Sequence, residues 1–130
     1  MKEMPAWAES EINSIKDGNF VLEDRWEGTG YFLDIDRSNR LVDINFYEKL
    51  PIGKYIITAR VKSSIDMDHL RKGIVYTYKI NVLKAGLSDR LSKFLKENFN
   101  IDMNAVYRFE LESLEPLEDV ISESIVEEEG

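Results

Sequence analysis

The stretch LVDINFYEKLPIGKYIITARVK, residues 41–62, decides the fold. In its first half Val42, Ile44 and Phe46 fall on one phase and Asp43, Asn45 and Tyr47 on the other. After Pro51 and Gly53 the same two-residue period returns, with Tyr55, Ile57, Ala59 and Val61 against Ile56, Thr58, Arg60 and Lys62. A period of two puts alternate side chains on opposite faces of a strand, so each half is a strand with one dry and one wet face. Pro and Gly between them mark a turn. The reading is two consecutive strands of a sheet.

Working outward, residues Glu11 to Asp24 suggest a first strand or strand pair broken at Asp17-Gly18. Gly28-Thr29-Gly30 then reads as a bend into a strand where Tyr31, Leu33 and Ile35 alternate with Phe32, Asp34 and Asp36. Residues 63–72 read as a polar loop with room for one helical turn, and residues 73–83 as a strand rich in β-branched and aromatic residues. The period changes at Ser88. Leu87, Leu91, Phe94, Leu95 and Phe99 recur at helical spacing, with Arg90, Lys93 and Lys96 opposite, which predicts an amphipathic helix to Phe99. A last strand, Ala105 to Glu112, is expected to turn Tyr107, Phe109 and Leu111 inward.

Short strands, tight turns and one helix predict a mainly β chain: a small oligonucleotide-binding-like antiparallel β-barrel with one amphipathic helix and an acidic C-terminal tail. The expected organisation is an N-terminal segment over residues 1–10, the barrel domain over 11–114, and a disordered tail over 115–130. That tail has seven acids and no base.

Charge is segregated along the 130 residues. The net charge of −8 divides into −6 over residues 1–36, +7 over 37–100 and −9 over 101–130. A basic middle between acidic ends suits a chain that meets a charged partner through one surface. Cysteine is absent, which removes disulfides, thiolate metal sites and thiol catalysis and fits a cytoplasmic protein. His69 stands alone beside Asp66 and Asp68, too few ligands for a structural metal. Asp34, Asp36 and Ser38 open like a calcium loop, but Asn39 and Asn45 stand where Gly and Glu are needed. No nucleophile and base fall into a recognisable triad. The expectation is a non-catalytic chain with no cofactor, no metal and no membrane partner.

The basic residues carry the candidate site. Arg60 and Lys62 share the wet face of one strand and Lys79 lies on the next. Lys54, Arg71, Lys72 and Lys84 fall at strand ends or in loops. If those strands pair, the bases form a stripe with Tyr47 as a stacking platform, the chemistry that binds single-stranded nucleic acid. The same residues also suit an acidic protein partner, and the sequence leaves both readings open.

The order of landmarks resembles the eighth-subunit family of archaeal and eukaryotic RNA polymerase. EINSIKDG (Glu11 to Gly18) resembles the opening strand and turn of the archaeal members. LVDINFYEKLPIGKYIITARVKSS (Leu41 to Ser64) resembles the family's Asp-x-Asn strand, short loop and following strand. NIDMNAVYRFEL (Asn100 to Leu111) resembles its last strand. In place of the family's Tyr-Gly-Gly-Leu segment this chain has VYTYKINVLKAGL (Val75 to Leu87). The helix after Gly86 and the acidic tail also depart from the pattern. The resemblance implies an oligonucleotide-binding-like barrel, no catalysis by the chain alone, and docking on the polymerase's largest subunit. Two alternatives stand beside it: a single-stranded nucleic-acid-binding protein whose acidic tail recruits partners, and a viral or regulatory inhibitor that mimics nucleic-acid charge.

Overall fold

The computed structural model describes residues 3–15 and 17–118. Its elements, in chain order, are α1 (Ala6–Ser14), β1 (Val21–Asp36), β2 (Leu41–Phe46), β3 (Ile56–Val61), β4 (Tyr76–Gly86), α2 (Asp89–Phe99) and β5 (Ala105–Pro116). The strands close into a barrel in the order β1-β2-β3-β5-β4. The mainly β barrel expected from the sequence is therefore present, with α2 where the helical period places it. Strand β3 pairs with β2 antiparallel and with β5 parallel. Closure removes free strand edges.

The chain divides into two compact units, Met1–Glu23 with Leu83–Arg108 and Asp24–Val82 with Phe109–Gly130. In the second unit the core is aromatic and β-branched. Val42, Ile44, Phe46, Ile57, Ala59 and Val61 are all buried, the phase that residues 41–62 announce. Around Tyr78 the rings of Phe32, Phe46 and Tyr76 pack with centroids 5.3 to 5.7 Å away. Gly30 belongs to this packing. A Cβ there would stand 2.2 Å from the Asn45 carbonyl oxygen, so only glycine lets β1 and β2 approach this closely.

The first unit is built on α1 and α2. Ser88 caps α2, its hydroxyl accepting from the Leu91 N–H at 3.1 Å. Asn100 ends the helix in the left-handed conformation, with φ of 54°. Leu91 and Leu95 are buried with Ala8, and Trp7, Leu87, Phe94 and Phe99 pack against them. Arg90 lies over the Trp7 ring at 3.9 Å.

Five expectations are corrected. Glu11 to Ser14, read as strand, form the last turn of α1. The Glu11 carboxylate accepts the Ser88 N–H at 2.9 Å and the Ser88 hydroxyl, a partner 77 residues away. Gly28-Thr29-Gly30 lies within β1 rather than at a bend. Between Phe32 and Asp34 the register of β1 on β2 shifts, so Leu33 is exposed while Phe32 is buried and Ile35 packs on the core. Tyr107 is 52% exposed, its ring under the Lys84 ammonium at 6.0 Å. It keeps the phase of buried Leu111, but β5 runs 12 residues and extends beyond the core it helps close. Strand β5 also continues to Pro116, and the Leu117 N–H donates to the Val75 carbonyl at 2.9 Å. The remainder of the expected tail, residues 119–130, lies outside the described residues.

Candidate interaction surface

Strand order decides what becomes of the basic residues. The expected stripe needs β3 beside β4, but β5 lies between them. It brings acids: Arg60 is in register with Glu110, and the Lys62 Nζ meets Glu112 Oε1 at 2.9 Å. The other oxygen of Glu112 accepts from the Asn81 amide, which also donates to Glu110 Oε1 at 3.1 Å. Asn81 is only 7% exposed although it lies on the outer phase of β4. Hydrogen bonds from Lys62 and Asn81 hold the Glu112 carboxyl below its usual pKa.

Four other candidate cations are spent in the same way. Lys72 lies 3.5 Å from Asp34, Lys79 3.7 Å from Glu27, and Lys84 4.0 Å from Glu23. The Arg71 guanidinium donates to the carbonyls of Asp68 and Leu70. Two arginines outside the candidate set do the same. Arg37 donates to the carbonyls of Met67 and Leu70, and Arg40 to those of Lys62 and Ile65 at 2.8 and 2.7 Å. Three guanidinium groups thus hold the long β3–β4 connection by its backbone oxygens, which would otherwise need solvent. Strand β5 therefore keeps Lys79 on β4 apart from Arg60 and Lys62 on β3.

Tyr47 and Lys54 are placed differently. The nine-residue connection from β2 to β3 is closed by backbone hydrogen bonds. The Phe46 N–H donates to the Tyr55 carbonyl at 2.7 Å, the Leu50 N–H to the Lys54 carbonyl at 2.9 Å, and Gly53 takes φ of 77°. Tyr47 leaves this turn 56% exposed, tilted against Tyr31 with ring centroids 5.8 Å apart. The Asn45 amide donates to the Tyr31 hydroxyl at 2.7 Å and fixes that ring. Across the strands Tyr31 pairs with Asn45 and Asn45 with Ile56, so all three share the outer face. Ile56 is 51% exposed. Lys49 stands over the Tyr55 ring at 5.9 Å.

Comparison with protein-family models, curated proteins and solved structures gives no match to this chain.

Sequence reasoning missed Tyr31, Lys49, Tyr55 and Ile56. The signal was available in the pairing of residues 41–62. Once Phe46 and Ile57 face inward, Tyr47 and Ile56 must face out. Asp36, whose surroundings open like a calcium loop in sequence, instead closes the β1–β2 turn, accepting from Ser38 and from Asn39. Those bonds lower its pKa, the Asn39 side chain first. His69 lies 3.6 Å from Asp66 on the surface. Among the described residues no helix is long and apolar enough to cross a membrane.

Proposed function

We propose that the chain is a non-catalytic subunit of a multisubunit DNA-directed RNA polymerase, docking on the largest subunit in the cytoplasm and supporting assembly and transcription. One observation carries the protein-docking part of this reading. Five cations of the candidate stripe are matched by the protein's own carboxylates and carbonyls: Lys62, Lys72, Lys79 and Lys84 lie by acids, Lys62 at 2.9 Å from Glu112, and Arg71 donates to carbonyls. A surface whose charges are already paired suits assembly with protein better than grip on a polyanion. The polymerase part rests on the resemblance. Leu41 to Ser64 supplies β2, turn and β3, and Asn100 to Leu111 leads into β5. Glu11 to Gly18 adds nothing, since Glu11 to Ser14 are helical.

The test is recovery of the tagged chain from its native host after nuclease treatment, in salt of about 0.5 M, where surface charges act over only a few ångström. The large polymerase subunits are expected to remain bound. Recovery of the chain alone, or loss of every partner on nuclease treatment, would defeat the proposal.

A further inference from the structure

We propose that the outer face of β2 and β3, at the end closed by the 47–55 turn, is a stacking platform for single-stranded nucleic acid. Tyr47 and Tyr31 supply the rings, and Lys49 and Lys54 meet the phosphates. This goes beyond protein docking, and of the expected basic stripe it keeps only Tyr47 and Lys54.

The geometry argues for rings first. Tyr47 is exposed by more than half yet held at its backbone and along one side of its ring. Its N–H donates to the Thr29 carbonyl at 3.0 Å, and its ring leans on Tyr31. Tyr31 is in turn fixed by Asn45. Pre-positioned aromatic faces lose little freedom when a base stacks on them.

Charge selects the occupant. Lys72, Lys79 and Lys84 each lie within 4.0 Å of a carboxylate. Lys49 and Lys54 make no ion pair with a carboxylate among the described residues, and both sit on the turn that carries Tyr47 and Tyr55. Ammonium groups that meet no carboxylate among the described residues, set beside exposed rings, match a phosphate chain with bases attached. An extended peptide has the poorer fit. The barrel is closed, so no free edge is offered for an added strand. Asp43, whose carboxylate accepts from the Thr58 hydroxyl at 2.6 Å, and Glu48 oppose the phosphates. Binding is therefore led by stacking, weak, and tolerant of base sequence.

The experiment is fluorescence anisotropy of a labelled ten-nucleotide oligothymidylate with the full-length chain, across a salt series. The expected Kd is on the order of 10⁻⁵ M at about 50 mM salt, within the non-specific range. Tyr47→Ala should weaken binding about tenfold, while Tyr47→Phe, which keeps the ring, should restore it. Lys49→Ala with Lys54→Ala should reduce the slope of log K against log salt by about 1.4. Lys72→Ala with Lys79→Ala, whose ammonium groups are already paired, should change affinity less than about twofold. Circular dichroism of each variant establishes that it is folded. Absence of binding at millimolar protein overturns the proposal, as does binding that Tyr47→Ala leaves unchanged. If the oligonucleotide fails to bind while Tyr47→Ala abolishes recovery of the large polymerase subunits, this face is a protein interface. The proposal then falls and the polymerase reading stands.

Discussion

Two faces of the same barrel treat their side chains in opposite ways. Over β3, β5 and β4 the outer surface is charged and internally closed: Lys62 bonds Glu112, Glu112 and Glu110 bond Asn81, and Lys79 lies near Glu27. Over β1, β2 and β3 it is aromatic and aliphatic, with Tyr31, Tyr47 and Ile56 turned out. Here the wet phase of a strand carries residues that water does not favour, the more informative deviation of the two. Charge that is conspicuous in the sequence has found partners within the fold. Rings that the sequence hardly advertises are left available.

The largest effect should come from the inside of the charged face. Leu111 is fully buried and lies on β5, where that strand pairs with β3. Leu111→Ala should cost about 3 kcal/mol in a denaturant titration, through lost transfer energy and the cavity left behind. A cost below about 1 kcal/mol would mean that β5 does not separate β3 from β4, and the basic stripe would have to be reconsidered.

Glu112 tests whether the charged face is closed by bonds or merely decorated with ions. Glu112→Gln should destabilise by about 1 kcal/mol at neutral pH, since it weakens the bonds to Lys62 and Asn81 on a half-exposed surface. The pH dependence follows from the sign of the shift. The folded carboxyl titrates below its ordinary value of 4.5. Its stabilisation is therefore complete above the unfolded pKa and lost as pH falls through the folded one. Denaturation midpoints taken from pH 6 down to about 3 should fall less steeply in the variant than in the parent. Parallel curves would show that Glu112 is not linked to folding.

Tyr78 provides a substitution that should help. Its ring is fully buried among Phe32, Phe46 and Tyr76, and its hydroxyl has no hydrogen-bond partner among the described residues. Burial pushes its pKa upward, so it stays a neutral phenol. Tyr78→Phe removes a desolvated polar group while keeping the ring, and should raise stability by up to about 1 kcal/mol. A loss of similar size would reveal a bound water or partner at that oxygen.

The barrel was legible where periodicity was strong. Val42 to Phe46 and Ile57 to Val61 alternate cleanly, and Leu91 and Leu95 keep helical spacing under a Ser88 cap. It failed where a local pattern was settled by distant partners. Glu11 to Ser14 mix β-branched and polar residues, and their helix is anchored by Ser88, far along the chain. Leu33 lost its phase to a register shift that leaves no mark in composition. The expected adjacency of Arg60 and Lys62 to Lys79 was lost for a topological reason. Whether Arg60 faces Lys79 or Glu110 depends on which strand lies beside β3, and a parallel neighbour from 50 residues away cannot be read from spacing. The +7 of the middle segment and the acids of the flanks were segregated in sequence and mixed in space.

The smallest effect should come from the aromatic face, and its smallness is what it tests. Ile56→Thr keeps a β-branched side chain, so strand propensity and rotamer restriction barely change. Ile56 is 51% exposed and has the Asn45 side of the sheet as its cross-strand neighbour. Little packing is lost and no buried group is stranded, so stability should change by about 0.5 kcal/mol or less. If denaturant titration instead shows a loss approaching that of Leu111→Ala, then Ile56 is part of a core. The outer face of β2 and β3 would then be retained for folding, and its rings would have to be explained without a ligand. A near-neutral result would leave the exposed apolar surface unaccounted for by stability, which is the condition under which a binding role has to be sought for it.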